Sequence, residues 1–352
     1  MRNTKWFKRF TEWEFWPSYM FYVPNLPYAL YLAMKAADFT FYAAVNPKIK
    51  NSGNGTESKF ETLKLIPEAL KPKSVFMQQY PGFNKLIESL HKAGIDYPVI
   101  VKPDVGFRGM LVKKIDSDSQ LQSYLESYPI PVIIQEFIDL PNECGVFYYR
   151  IPGEEKGKIT SLTIKSFLMV QGDGVSTLSE LVLYDSRAKH YKHLFKKLHK
   201  SRWNTIIDKG DFIKLTDIGN HNKGTQFLNG NHLIDESLVS VFDQLAKQID
   251  GWYYGRMDVK YNTIDELKTG KNFIVLEING TISEPTHIYD PYHTTYFEAL
   301  KAIRAHWKIM YQIAKENKKR GVKSVRFLDY WSDVKELIQY IKKIKKLSKS
   351  TG

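Results

Sequence analysis

The stretch GRMDVKYN…NFIVLEINGTISEP sets acidic side chains into two runs of strand-forming apolar residues, and few folds tolerate that combination. Strand side chains alternate, so Arg256 and Asp258 share one face of the first strand, and Glu277 and Asn279 share one face of the second. A carboxylate beside Val259, Ile274, Val275 and Leu276 is costly to desolvate unless a cation sits with it. Two carboxylates and an amide offer only oxygen donors. That set suits Mg²⁺, which fills its octahedron with phosphate oxygens and water, and Mn²⁺ is the alternative ion. Taken alone, the four residues also fit the polar face of a surface hairpin. The choice rests on what else the chain carries.

At 352 residues the chain is long enough for two or three compact units with a cleft between them. Lys and Arg exceed Asp and Glu by 51 to 38, and the resulting charge of +13 suits nucleic acid, an acidic membrane face or an anionic substrate. No zinc-finger spacing or RNA-binding aromatic motif accompanies the charge, so a nucleic-acid partner is not expected. The single cysteine, Cys144, cannot form an internal disulfide, and no base is specified near it, so it reads as an ordinary small side chain in a cytoplasmic protein.

From Ser74 the pattern alternates strands and helices. SVFMQQY, YPVIVKP and PVIIQEFI read as strands, while GFNKLIESLHKAG and DSQLQSYLESY carry apolar residues at helical spacing. Before that body, NPKIKNSGNGTESKFETLKLIPEALKPKS is turn-rich and reads as a connection. The N-terminal part is aromatic, with no charge from Phe15 to Met34. Pro17, Pro24 and Pro27 argue against one clean spanning helix, so the segment reads as a cap on the protein or as an interfacial membrane contact. The tail DVKELIQYIKKIKKLSKS puts Val334, Leu337, Ile338, Ile341 and Ile344 on one helix face with lysines between them. It reads either as a helix docked on the body or as one lying on an anionic membrane surface, peripheral at the inner face.

Two further elements carry chemistry. The strand PVIVKP ends on Lys102 and runs into DVGFRGM, where Gly106 and Gly109 let backbone N–H groups approach an anion beside the ammonium. About thirty residues later the strand VIIQEFIDLPNE ends on polar residues. Main-chain groups from Gln135 through Glu136, Phe137 and Ile138 can read an adenine edge there, and Glu143 can accept ribose hydroxyls.

A lysine with a glycine turn, then a strand-end Glu, then Arg-x-Asp and Glu-x-Asn, is the order of the ATP-grasp superfamily. In YPVIVKPDVGFRG, QEFI, GRMDV and VLEING the chain resembles that family from about Ser74 to about Ala314, and resembles most its carboxylate–amine ligases such as D-alanine–D-alanine ligase and cyanophycin synthetase. The resemblance implies an α+β ATP-grasp fold in which two α+β lobes hold ATP between antiparallel sheets. It divides the chain into an aromatic segment and connection (1–73), a small lobe (74–140), a large lobe with the metal site (141–315) and a basic helical tail (316–352).

The resemblance also implies roles, with ATP and Mg²⁺ as cofactors and a small-molecule carboxylate and an amine as partners. Lys102 matches the phosphate lysine, Gly106 and Gly109 the lid, Gln135 to Ile138 the adenine hinge and Glu143 the ribose ligand. Arg256 matches the transition-state arginine, and Asp258, Glu277 and Asn279 the metal ligands. Similarity in QGDGVSTLSELV and IGNHNKGTQF adds Lys165, Lys214, His221 and Lys223 as residues that face phosphates or substrate. The implied reaction activates a carboxylate as an acyl phosphate and joins it to an amine. The alternatives are a kinase-like phosphotransferase and a membrane-associated ATP-binding protein with little turnover. After Asn279 the chain runs GTISEPTHIYDP where D-alanine–D-alanine ligases carry Pro-Gly-Met-Thr, so the likeness does not reach the substrate, and no second phosphate lysine is matched.

Overall fold

The β-branched run VIVKP cannot sit on a surface, and in the computed structural model, which describes residues 13, 16–17, 19–106 and 109–350, it forms an inner strand buried at Val99 and Val101. The first sheet contains β1 (Ser74–Met77), β2 (Val99–Pro103), β3 (Lys113–Ile115) and β4 (Val132–Glu136), all antiparallel, in the order β1-β4-β2-β3. Two amphipathic helices cover one side of it. Phe83–Lys92 buries Leu86 and Leu90 one turn apart, and Asp118–Ser127 buries Leu121, Tyr124 and Leu125. Each such side chain contributes about 1.5–3 kcal/mol of burial, enough to hold a sheet this small against its helices.

The second sheet is larger. It contains β5 (Asn142–Tyr149), β6 (Lys158–Ser166), β9 (Gln226–Asn229), β10 (Tyr254–Tyr261) and β11 (Phe273–Asn279), antiparallel in the order β11-β10-β5-β6-β9, with a small two-stranded ribbon of β7 (Met169–Gln171) and β8 (Phe212–Lys214) inserted between β6 and β9. One face of this sheet packs on the helix Glu236–Gln248, whose Leu238, Phe242, Leu245 and Ala246 meet Val146, Val259 and Val275. The other faces the first sheet. This is the α+β arrangement of two antiparallel sheets expected from the sequence.

The aromatic segment packs on the body. Its first twelve residues lie outside the described ones, but Phe21 is fully buried against Tyr289 and Tyr296, and the helix Leu26–Ala36 lies on the long helix Tyr296–Lys319. That long helix starts at a reciprocal cap, Thr295 with Glu298, and ends at Lys319, two residues before Gly321 with its positive φ. The C-terminal helix Phe327–Ser350 docks on the first sheet's core through Tyr340, Ile344 and Leu347. Its apolar face is rotated slightly from the expected one, leaving Ile338 exposed and bringing Tyr340 in. Among the described residues, no helix is long and apolar enough to cross a membrane.

Candidate active site

The pairing of β10 with β11 sets Asp258 opposite Glu277 and Arg256 opposite Asn279, so four side chains from two strands form one polar wall. Alternation gives β10 a row facing the cleft: Lys260, then Asp258, then Arg256. Asn279 Nδ2 donates to Asp258 Oδ2 at 3.3 Å and to Glu277 Oε1 at 3.2 Å, which gathers the three oxygen-bearing groups. Among the described residues no cluster of three or more carboxylate, imidazole or thiol groups forms, so the site offers two carboxylates and an amide. These residues fit a hard cation that takes its remaining ligands from phosphate and water.

Cations surround this wall. Arg256 forks onto Asp258 through Nε at 3.1 Å and Nη2 at 3.0 Å, a bidentate pair. Lys165, from β6, reaches Glu143 at 2.6 Å and Asp258 at 3.1 Å. Burial opposes its charge, yet Asp258 and Glu143 outweigh burial and raise its pKa. Glu277 lies well below the usual carboxylate range: burial pushes it up, but Lys59 and Lys102 pull it down further. Glu277 thus stays ionised.

Lys102 ends β2 on the opposite sheet and donates to Gln135 Oε1 at 3.2 Å. Burial pulls its pKa down to about 8, against the opposing pull of Glu277. Its ammonium therefore predominates at neutral pH and titrates just above it. The expected result is nucleotide affinity that weakens by up to about tenfold per pH unit above pH 8, because the unliganded protein has then lost a proton that the phosphate complex retains. Titration with a non-hydrolysable ATP analogue across pH 7 to 9.5 checks this, and a Lys102→Met chain with the same slope as wild type overturns it.

The other residues singled out in the sequence divide. Gly106 and Gly109 line the cleft, and Gly109 faces Asn220, so this turn meets the 219–224 segment; the residues between the two glycines lie outside the described ones. Gln135, Glu136, Phe137, Ile138 and Glu143 all line the cleft as well. In the strand end, however, the N–H groups of Glu136 and Phe137 bond the carbonyls of Lys73 and Pro98, and the Gln135 side chain turns to Lys102 and Ser74. Among the described residues the N–H of Ile138 has no such acceptor. Glu143 is buried and bound to Lys165 through one of its two oxygens. His221 lines the cleft, whereas Lys214 lies over Phe167 and Lys223 bonds the Val112 carbonyl, outside it.

The turn-rich stretch that reads as a connection carries residues the sequence reasoning missed. Asn46 pins it to β10, accepting from the N–H groups of Tyr253 and Tyr254 and donating to the Tyr254 carbonyl. Thr281 N–H and Ile282 N–H then bond the carbonyls of Ser52 and Gly53. The chain next enters the cleft with Gly55, Glu57 and Lys59. Asp104, two residues past Lys102, accepts from Ser58 Oγ and Phe60 N–H at 2.9 Å and so fixes the start of the helix Lys59–Lys64 beside the strand lysine. Lys59 Nζ sits 3.0 Å from Glu277 Oε2. The signal that could have found it is a lysine directly after a glycine-rich turn and a helix-capping serine.

The whole cleft encloses about 1410 Å³ between the two sheets. A single small-molecule site occupies roughly 300–1,000 Å³, so there is room here for more than one ligand. The fold and site together define an α+β protein with a large cleft lined by lysines, an arginine and paired carboxylates.

Two solved structures are similar to the chain. A bifunctional glutathione synthetase from Pasteurella multocida shares 16% identity over 70% of this chain and 36% of its own, with a TM-score of 0.36. The VanG D-Ala:D-Ser ligase from Enterococcus faecalis shares 13% identity over 74% of this chain and 62% of its own, with a TM-score of 0.41. The chain thus spans less than two thirds of either protein's length. No protein-family model and no curated protein matches it.

Proposed function

We propose that the chain is an ATP-dependent carboxylate–amine ligase of the ATP-grasp kind. The observation that supports this best is the convergence of Lys59, Lys102 and Lys165 with Arg256 on the oxygen set of Asp258, Glu277 and Asn279 in one cleft. A protein that only held a nucleotide would need its hinge and a lysine. It would not need an arginine forked onto a metal carboxylate at the far side of the phosphates.

Roles follow from position. The strand end from Gln135 to Ile138 reads the adenine, Glu143 takes the ribose, and the Gly106 to Gly109 turn closes over the phosphates with Lys102. Lys59 supplies the second phosphate lysine that the sequence left unmatched. Asp258, Glu277 and Asn279 would hold Mg²⁺, which would neutralise charge on the transferring group. Arg256 lies beyond them and steadies the negative charge that builds as the carboxylate oxygen takes the γ-phosphoryl group. The resulting acyl phosphate is attacked by the amine nitrogen at its carbonyl carbon, phosphate departs with the C–O bonding pair, and the nitrogen sheds a proton.

The test is ADP release from ATP and Mg²⁺ against a panel of amino acids, short peptides and small carboxylates, with and without an amine. Release that needs both a carboxylate and an amine is the expected result. Release with one partner alone makes the protein a phosphotransferase, and no release under any condition overturns the enzymatic reading.

A further inference from the structure

Beyond Arg256 the cleft ends in a wall that none of the roles above uses. Glu284 follows the metal-site strand by five residues. One of its carboxylate oxygens accepts from the Tyr22 hydroxyl and the other accepts from the Tyr289 hydroxyl at 2.8 Å. Tyr22 belongs to the aromatic N-terminal segment, so the segment that reads as a cap or a membrane contact reaches into the cleft. Trp16 lines the same end, its ring 5.1 Å from that of Tyr296.

The carboxylate lacks one thing. Among the described residues no lysine, arginine or histidine makes an ion pair with it. Arg256 is forked onto Asp258, donates to the Glu284 main-chain carbonyl at 3.4 Å and feels the Glu284 charge, but it makes no ion pair with the carboxylate. Two phenol hydroxyls satisfy part of a carboxylate's hydrogen-bonding capacity and leave lone pairs directed at the cleft. A half-buried carboxylate held by the Tyr22 and Tyr289 hydroxyls, at the end of the cleft that Trp16 also lines, attracts a cation by Coulomb interaction.

The order along β10 says which cation. Lys260 lies over the Phe137 ring of the strand end, Asp258 is at the metal set, Arg256 is one pleat further, and Glu284 comes after it. A nucleotide laid along that row places its γ-phosphate at Asp258 and Arg256. The group arriving from the Glu284 side is the one that attacks.

We infer that Glu284, held by Tyr22 and Tyr289, is the recognition site for the ammonium group of the amine co-substrate, a primary alkylammonium whose carbon body packs on Trp16. This rests on the ligase reading for the word co-substrate, but the cation site itself does not. Glu284 selects the amine in its ammonium form, and the nitrogen gives up one proton to water before its lone pair attacks the acyl phosphate. The aromatic N-terminal segment is then a specificity element.

Calorimetry on the full chain, loaded with Mg²⁺ and a non-hydrolysable ATP analogue, tests it with charged and neutral pairs: n-butylammonium and n-butanol, phenethylammonium and 2-phenylethanol, glucosamine and glucose. Wild type is expected to bind at least one ammonium tenfold or more tighter than its neutral partner. Glu284→Gln is expected to lose that preference while holding the neutral partner within twofold. A merely structural role weakens both members of a pair together, and that result overturns the inference, as does a wild type that distinguishes no pair. In ADP release, Glu284→Gln raises the KM for the amine at least tenfold and that for ATP less than threefold; equal rises overturn the assignment. An ammonium preference in a wild type that releases no ADP under any condition keeps the cation site and removes the ligase reading, so the two failures are distinguishable.

Discussion

Glu277→Gln is expected to lower metal-dependent ADP release by about 10³-fold or more while the chain stays folded. The change keeps the side chain's shape and one oxygen, and the core packing of Val275 and Ile278 does not involve it, but it removes one of two carboxylates in the oxygen set. A hard cation held by one carboxylate and two amides loses much of its charge complement, and a single misplaced charge-stabilising group costs roughly 10²–10³ in kcat. Lys59 and Lys102 lose their partner at the same stroke, since both pull on Glu277. The Lys102 pKa, which Glu277 holds up against burial, then falls below its value of about 8. Excess Mg²⁺ restores part of the rate if weak metal binding is the cause. The checks are ADP release against Mg²⁺ concentration and thermal unfolding of both chains. A Glu277→Gln protein with wild-type turnover and metal dependence sinks the site assignment.

Much of that wall was legible because it rests on a local rule. Alternation along a strand put Arg256 with Asp258 and Glu277 with Asn279 before any pairing was known, and the structure then set the two rows side by side. The strand Val99–Pro103 and the helix Phe83–Lys92 were legible for the same reason, each having a period of its own. Lys59 was not, because its meaning lies 218 residues away at Glu277 and a turn has no period to betray it. Trp16 and Tyr22 failed likewise: an aromatic run signals burial or an interface, and only Glu284 and Tyr289 show which. The tail helix shows the intermediate case. Its apolar face was readable, but that the face meets the first sheet's core through Ile344, and that Lys345 reaches the cleft, depended on the partner surface.

Gly280→Ala is expected to destabilise the protein by about 3 kcal/mol or more and to cost activity with it. Gly280 directly follows Asn279, and the backbone of Ser52 and Gly53 passes against it. A Cβ there would lie 2.0 Å from the Ser52 carbonyl oxygen and 2.7 Å from the Gly53 Cα. Both neighbours are main chain, so no flexible side chain can swing away. Relief requires the 46–55 stretch to lift, breaking the bonds from Thr281 N–H and Ile282 N–H to the Ser52 and Gly53 carbonyls, each worth about 1 kcal/mol. A Gly53→Ala change meets the same contact from the other side, where its Cβ would lie 2.7 Å from the Gly280 Cα and its φ of +76° is unfavourable for any side chain. What makes the contact matter for function is what hangs from it: lifting the stretch carries Lys59 off Glu277. The two substitutions should therefore lower the melting temperature by several degrees and raise the KM for ATP together, whereas an exposed change such as Lys64→Ala on the same helix should do neither. Differential scanning calorimetry beside ADP release decides it, and a Gly280→Ala protein that melts with wild type would show that the close approach of these two backbones does not anchor the site.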